Sequence, residues 1–431
     1  MELLSPAGSL EKLEFAYRWG ADAAYTGLPL FSLRTRAEQL DDSFPEHGEK
    51  IAAIKSGKKL YVALNIYFKN RDLELLPDQL ARVASWPIDA FILSEAALIP
   101  LVREYFPKAE FHLSTQANCT NWRAAKMYHD MGFSRVVPAR ELSLEEIAEI
   151  KQRVPELELE VFAHGAMCLA YAGRCILSAE ATGRSANRGD CAHNCRWPYR
   201  VLLEEESRPG ETISLEEGET ASSSYSFLLS SKDLCLVDHL EALRQAGVDA
   251  IKIEGRIKSV LYTAFVTRAY RQALDHPGEE NPWKKDLFSL SHREYGTGFL
   301  FDGSARNIVS GGEHYLRGAQ FIGTLVEPPA HAVQPVADAC WGEAFAVRVR
   351  HAFGPDGPLL LDGPAGGTIS LDANSFRVCT FDGLEATRIA SEHGGWLQFS
   401  RTSGDPSSSY LERASPFWVI RRPVEGANPT K

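Results

Sequence analysis

The stretch that decides the fold is residues 158–168, which read Glu-Leu-Glu-Val-Phe-Ala-His-Gly-Ala-Met-Cys. Its first part, Glu158–Phe162, is a short strand-like run with the apolar residues Leu159, Val161 and Phe162, and His164 and Cys168 follow shortly after it. Polar and thiol side chains just after a parallel strand are typical of the loops that carry chemistry in α/β proteins. The stretch therefore predicts a strand that leads into a functional loop.

Seven other short apolar runs in the first 275 residues share this character and alternate with amphipathic, helix-like stretches. Eight parallel strands are the number that closes a (β/α)8 barrel, so we predict an α/β, TIM-like barrel. The eight predicted strands are Glu2–Leu4, Ala21–Tyr25, Leu60–Leu64, Asp89–Leu93, Glu110–Leu113, Arg135–Val137, Glu158–Phe162 and Asp249–Ile253.

The loops after the predicted strands are rich in polar side chains. Any one of them could simply meet solvent, but eight polar strand ends in succession favour a shared pocket at the C-terminal face of the barrel. The side chains are Ser5, Thr26, Asn65, Ser94, Glu95, Ser114, Thr115, Gln116, Arg140, Glu141, His164, Glu254 and Arg256.

The seventh and eighth predicted strands are too far apart for a simple crossover, which predicts an insert at about residues 164–231. The insert carries a cysteine cluster and two strand-like runs, Tyr199–Leu203 and Tyr225–Leu229, which we interpret as a hairpin. A helix over Leu234–Gln245 is predicted to follow. We thus expect a barrel domain at 1–275, a linker at 276–318 and a small β-barrel domain at 319–431.

Composition narrows the class of protein. The 431 residues are 44% hydrophobic and 24% charged, as in soluble globular proteins, and the formal net charge of −11 argues against wholesale attraction to nucleic acid. The sequence shows neither a membrane-length apolar run nor a secretory signal at its start, so we predict a cytoplasmic protein without a membrane association. In that compartment clustered cysteines are read as metal or redox groups rather than disulfides.

Four of the eight cysteines, Cys168, Cys175, Cys191 and Cys195, form a C-x6-C-x15-C-x3-C pattern. Four thiolates from one segment suit a tetrahedral zinc or a four-iron cluster, and the spacing weakly favours iron and sulfur. The alternative is that these are ordinary buried thiols. Cys235, which follows the Lys232-Asp233 pair, could replace Cys195 as the fourth ligand.

The segments Glu160–Cys168 and Gly173–Ser178 resemble the signature of peptidase family U32, the collagenase-like family. Leu4–Gly8, Ser230–Leu234 and Lys252–Arg256 agree with it, so the resemblance covers the whole predicted barrel. In cysteine pattern the chain most resembles members that are iron–sulfur proteins hydroxylating RNA bases. The resemblance implies a [4Fe-4S] cluster on the four cysteines and prephenate-dependent 5-hydroxylation of uridine in tRNA.

Hydroxylation of a pyrimidine at C5 needs an oxygen source, an acid or base and a base-binding pocket. We assign the catalytic roles to His164, Glu254 and Arg256, with Lys232 and Asp233 from the family-like stretch. Arg34, Arg140 and Lys252 are assigned to a small carboxylate donor such as prephenate or to RNA phosphates, and Gln116 and Asn118 to a base edge. A local basic patch, Arg184, Arg188, Arg196 and Arg200, is predicted to contact tRNA or rRNA.

Other functions stay open at this point. A peptidase is the second hypothesis, although the sequence has neither a G-x-S-x-G elbow nor an H-E-x-x-H helix. A cysteine peptidase using Cys168 with His164 is conceivable only if that thiol is not bound to iron. An rRNA cytidine hydroxylase, an RNA-binding module with a structural cluster, and a requirement for a partner protein complete the alternatives.

Overall fold

The structure is a computed structural model, and it describes residues 1–33, 47–200, 202–204, 206–207, 209–210, 212–214, 227, 229–301, 315–338, 340–373, 375–400 and 416–424.

The first unit is a closed barrel of eight parallel strands, which confirms the predicted fold. Each strand pairs with its neighbour, and the last one pairs with both the first and the seventh, closing the ring. Because such strands are buried on both faces, they appear in the sequence as short apolar runs. They are β1 (Glu2–Pro6), β2 (Ala23–Gly27), β3 (Lys59–Leu64), β4 (Ala90–Leu93), β5 (Glu110–Leu113), β6 (Arg135–Val136), β7 (Glu158–Ala166) and, after three short strands given below, β11 (Ala250–Ile253).

Helices alternate with these strands and cover the outside of the barrel. Side-chain caps set several of their starts: the Ser143 hydroxyl accepts from the Glu146 N–H while the Glu146 carboxylate accepts from the Ser143 N–H. The helices are α1 (Leu10–Arg18), α2 (His47–Lys55), α3 (Asn70–Arg82), α4 (Ile99–Tyr105), α5 (Trp122–Asp130), α6 (Leu144–Arg153), α7 (Leu177–Thr182), α8 (Leu240–Gln245), α9 (Val260–Asp275) and α10 (Lys284–Ser289).

The insert between β7 and β11 differs in part from the prediction. Its hairpin consists of β8 (Leu202–Glu204) and β9 (Thr212–Ser214), so the second strand comes earlier than predicted, and most of 225–229 lies outside the described residues. The predicted helix start at Leu234 is wrong. Leu234 belongs to β10 (Asp233–Cys235), which pairs antiparallel with β7, and α8 begins only at Leu240.

The segment after α10 joins the barrel sheet. Strand β12 (Tyr295–Gly296) pairs with β10, and Arg293 just before it is 1% exposed. The burial of Arg293 was not predicted, because in the sequence this arginine lies in a polar stretch.

The second unit is an eight-stranded antiparallel sheet with the order β16-β15-β20-β13-β14-β19-β17-β18. One apolar core cluster includes Ile369 from β16 and Val378 from β17, which lie near opposite ends of that order, so the sheet curls around its core. Its strands are β13 (Ala319–Leu325), β14 (Trp341–Val349), β15 (Leu359–Asp362), β16 (Thr368–Leu371), β17 (Phe376–Cys379), β18 (Glu385–Ala386), β19 (Gly394–Ser400) and β20 (Val419–Pro423).

A buried group of four charges joins the two units. Arg268 of α9 and Asp286 of α10 form an ion pair at 2.8 Å, and Arg421 of β20 and Asp362 of β15 form another at 2.9 Å. The pairs touch, since Arg421 also lies 3.2 Å from Asp286. Removing one member would leave a buried charge uncompensated, which typically costs several kcal/mol, about 3 to 5.

Within the described part of the chain, no helix has both the length and the apolar character needed to cross a membrane.

Candidate functional site

A cavity of about 370 Å³ opens at the C-terminal ends of the barrel strands. Its floor comes from strand ends and its wall from the loop after β7. Of the predicted site residues, this cavity brings together Gln116, Arg140, Lys252, Glu254, Arg256, Cys168, Cys175, Cys191 and Cys195. The position agrees with the rule that barrel enzymes carry their chemistry at this face.

The four clustered cysteines line one cavity and form no disulfide. Burial raises the pKa of the Cys195 thiol, Arg196 opposes the rise, and the nearby Cys168 and Cys191 thiols add to it. As the side chains stand, no group of three cysteine, histidine, aspartate or glutamate residues in the described ranges forms a metal site. The thiols therefore share a cavity but are not gathered around one point.

The loop that carries Cys168 and Cys175 is held against the strand ends. The Glu141 carboxylate accepts from the Ala172 N–H at 2.6 Å, and the Asn187 side chain accepts from the Cys175 N–H at 3.0 Å. Gly173 has a φ of +74°, and a Cβ there would lie 2.6 Å from the Gln116 amide nitrogen. A side chain at that position would strain the backbone and displace the end of the Gln116 side chain.

Four cations line the cavity: Arg140, Lys252 and Arg256 from the barrel, and Arg174 from the loop after β7. The Lys252 ammonium donates to Glu160 at 3.0 Å and lies 4.4 Å from the centre of the Tyr25 ring. Burial lowers the pKa of Lys252, which Glu160 opposes. Arg256 donates to the Ser32 hydroxyl at 3.0 Å, and Arg140 lies over the Phe162 ring at 3.6 Å. These are positions where a ligand carboxylate or phosphate would find fixed positive charge.

The cavity wall also holds buried acceptors. Gln116 is 6% exposed, and its Oε1 has no hydrogen-bond partner among the described residues. Glu141 Oε2 is likewise buried and without such a partner. Asn118 Oδ1 is likewise buried without a partner, but Asn118 does not line the cavity. Unsatisfied buried acceptors are costly, so those facing the cavity favour a ligand with N–H or O–H donors.

His164, predicted as a proton carrier in the pocket, does not line the cavity. It is 1% exposed, its Nδ1 lies 3.3 Å from the Tyr270 hydroxyl, and the rings of Tyr262 and Tyr295 surround it. Burial lowers the pKa of His164 to about 3, so the ring is neutral at physiological pH.

A β-bulge explains the orientation of His164. Lys252 of β11 is paired with Phe162, but the next residue, Ile253, is paired with His164, which leaves Ala163 as an extra residue. An extra residue reverses the alternation of side chains, and His164 consequently faces the helices instead of the cavity.

Lys232 and Asp233, also predicted as catalytic, lie outside the cavity lining. Lys232 pairs with Glu294 at 2.5 Å, and Asp233 accepts from Arg293 at 2.7 Å. Burial would raise the pKa of Asp233, but Arg293 more than offsets this and lowers it. Both residues thus attach β10 to the segment around β12.

The last two predicted site residues are Cys235 and Arg34. Cys235, the alternative ligand, lies 3.9 Å from the Tyr270 hydroxyl on the side of His164 and does not line the cavity, whereas Cys195 does. Burial raises the pKa of Cys235 to about 11. Arg34 lies outside the described residues.

The predicted basic patch is partly neutralised. Arg188 forms a bidentate pair with Asp72, and Arg184 pairs with Asp190 at 3.1 Å. Arg196 instead donates to the Tyr315 hydroxyl at 2.9 Å. Among the described residues, Arg196 therefore contacts no carboxylate, whereas Arg184 and Arg188 each do.

The fold and the cavity define a barrel protein whose C-terminal face combines four thiols with several cations. Residues 8–309 match the model of Peptidase family U32, and the chain belongs to this family.

Curated relatives carry different names. The chain is 39% identical over 340 residues to tRNA hydroxylation protein P of Escherichia coli K12, covering 69% of this chain and 74% of that protein. It is 37% identical over 281 residues to a 23S rRNA 5-hydroxycytidine synthase of the same organism, covering 65% and 40%. It is 32% identical over 286 residues to a collagenase of Porphyromonas gingivalis, covering 64% and 65%.

Proposed function

We propose that this chain is an RNA base hydroxylase that acts on C5 of a uridine in tRNA with the help of a four-iron cluster. The observation that carries the proposal is a single cavity lined by four unpaired thiols, four cations and a buried acceptor on Gln116. The relative named as a tRNA hydroxylation protein supports RNA hydroxylation over other chemistry for a site of this composition.

The donor set fits an iron–sulfur cluster in its chemistry. Four thiols without disulfides are the usual ligands of such a cluster, and all four belong to one loop system at the cavity wall. Binding would require that loop to draw the thiols together. When bound, the cluster would supply electron transfer, which side chains alone do not offer.

The chain's own residues would bind and orient the reactants. Lys252, Arg256 and Arg140 are suited to hold the carboxylates of a small co-substrate, for which prephenate is the candidate. Gln116 Oε1 is suited to accept from the ring N–H of a uracil that has been flipped into the cavity. Glu254, 7% exposed in the cavity wall, is the candidate to take up the C5 proton.

Peptidase activity finds less support. A cysteine peptidase needs a histidine within hydrogen-bond reach of its thiol, and His164 bonds to Tyr270 away from the cavity that Cys168 lines. Cytidine hydroxylation in rRNA is the nearer alternative, since the cavity does not by itself distinguish RNA molecules and a relative carries that name.

Nucleoside mass analysis is the deciding experiment. tRNA and rRNA from a strain lacking the gene should lose 5-hydroxyuridine-type nucleosides in tRNA, and the plasmid-borne chain should restore them. If hydroxylated nucleosides are lost only from rRNA, the substrate is a cytidine in rRNA instead. If they are lost from neither RNA, the proposal is refuted.

Spectra of anaerobically purified protein test the cluster separately. We expect brown protein with about four iron atoms per chain, and Cys168→Ala should lose both colour and iron. Cys340→Ala, at an exposed cysteine outside the cluster, is the matched control and should keep them. Bound zinc or colourless protein would refute the four-iron assignment.

A further inference from the structure

An exposed apolar rim surrounds part of the cavity mouth. In the segment Met167–Leu177 every residue except Tyr171 lines the cavity, and Tyr171 is instead 54% exposed. Within the same segment the lining residues Leu169 and Ile176 are 46% and 71% exposed. Trp197, two residues after the lining residue Cys195, is 46% exposed.

Single exposed apolar residues are common on protein surfaces and need no explanation. Here four of them, two with aromatic rings, occur on the two segments that also carry the cysteines of the cavity wall. Leu169 and Ile176 line the cavity itself, and Tyr171 and Trp197 lie within two residues of lining residues, which favours a role in binding over chance exposure. We call Leu169, Tyr171, Ile176 and Trp197 the rim.

The charge at the rim indicates what binds there. Arg174 lies between Tyr171 and Ile176 and donates to the Tyr67 hydroxyl at 2.7 Å and to the Gln116 carbonyl at 3.2 Å. Arg196, next to Trp197, donates to the Tyr315 hydroxyl. These partners are neutral oxygens, so the hydrogen bonds orient both guanidinium groups without cancelling their charge. In a chain of net charge −11, such cations beside aromatic rings fit a polyanion.

We infer that the rim is a stacking platform for unpaired RNA bases, with Tyr171 and Trp197 contacting the nucleotides that flank the one in the cavity. This inference rests on the proposed function and deepens it. Aromatic faces hold single-stranded bases without reading their sequence, and arginines beside them contact phosphates. The RNA expected here is therefore a loop with unstacked bases, because a paired helix hides its faces.

Binding of a fluorescent tRNA anticodon stem-loop to the full-length, anaerobically purified protein tests the inference by anisotropy. Tyr171→Ala and Trp197→Ala should each weaken binding roughly 5- to 150-fold. Tyr171→Phe, which keeps the ring, should bind within about twofold of the parent, since stacking depends on the ring face. Leu384→Ala, at a 68%-exposed apolar residue of the second unit, is the matched control and should bind like the parent.

Several outcomes would overturn the inference. Unchanged affinity in both alanine variants, or equal losses in Tyr171→Ala and Tyr171→Phe, would show that no base stacks on the rim. If the alanine variants instead lose a stoichiometric protein complex but keep RNA affinity, the rim is a protein interface. Failure of the proposed function is seen separately: the parent chain itself would then restore no hydroxylated nucleoside in the deletion strain.

Discussion

Replacing His164 by Phe tests whether this histidine is a buried structural residue or a proton carrier. Its pKa is lowered to about 3 from the ordinary 6.5, and burial is the main cause. The folded protein therefore keeps the ring neutral while the unfolded chain takes up a proton below pH 6.5. The contribution of His164 to the free energy of unfolding is fully present above pH 6.5 and is lost as the pH falls toward 3. Between pH 7 and pH 5 the loss is about 2 kcal/mol.

Urea unfolding of the parent and of His164→Phe at pH 7 and pH 5 measures this contribution. The variant should be less stable at both pH values, because it loses the contact with Tyr270, but its decrease from pH 7 to pH 5 should be smaller by about 2 kcal/mol. Acidic groups elsewhere contribute equally to both proteins and cancel. Equal decreases would refute the argument, as would a ring NMR resonance of His164 that titrates near pH 6.5.

Three other sets of substitutions test the cavity. Glu160→Gln should destabilise the protein by about 3 to 5 kcal/mol in urea unfolding, because Lys252 loses its buried partner. The double variant with Lys252→Met should regain part of this stability, but it should not hydroxylate RNA. Cys195→Ser should lower the iron content while Cys235→Ser leaves it unchanged, and the opposite pattern would assign the fourth ligand to Cys235. Gly27→Ala would place a Cβ 2.1 Å from a guanidinium nitrogen of Arg256. We expect about 1 to 3 kcal/mol of destabilisation and at least a tenfold lower yield of the hydroxylated nucleoside. A yield equal to that of the parent would contradict the role of Arg256.

The barrel could be predicted from the sequence because its strands are buried on both faces. A fully buried parallel strand leaves a short apolar run that depends little on its neighbours, as in Leu60–Leu64. The apolar run at Leu234 fits a strand or the start of a helix equally well. Leu234 forms a strand because it pairs with Gly165 of β7, and the local sequence does not show that contact.

The site was only partly predictable for a related reason. Cys168, Cys175 and the cations Lys252 and Arg256 lie in or close in sequence to the strand ends that position them, so their convergence follows from the barrel. Cys191 and Cys195 lie beyond α7, and the fold of the insert brings them to the cavity. The orientation of His164 depends on a bulge set by pairing with β11, and the partner of Asp233 lies 60 residues further along the chain. Long-range pairing of this kind leaves no periodic signal.

The four charges between the two units have a consequence for how the chain can be divided. The barrel side contributes Arg268 and Asp286, and the sheet side contributes Arg421 and Asp362. Each side thus brings one positive and one negative group, and each can satisfy itself if the other is absent. Separation would expose two neutral pairs to water and would leave no buried ion without its partner, so the charges at this joint do not by themselves oppose dividing the chain between the two units.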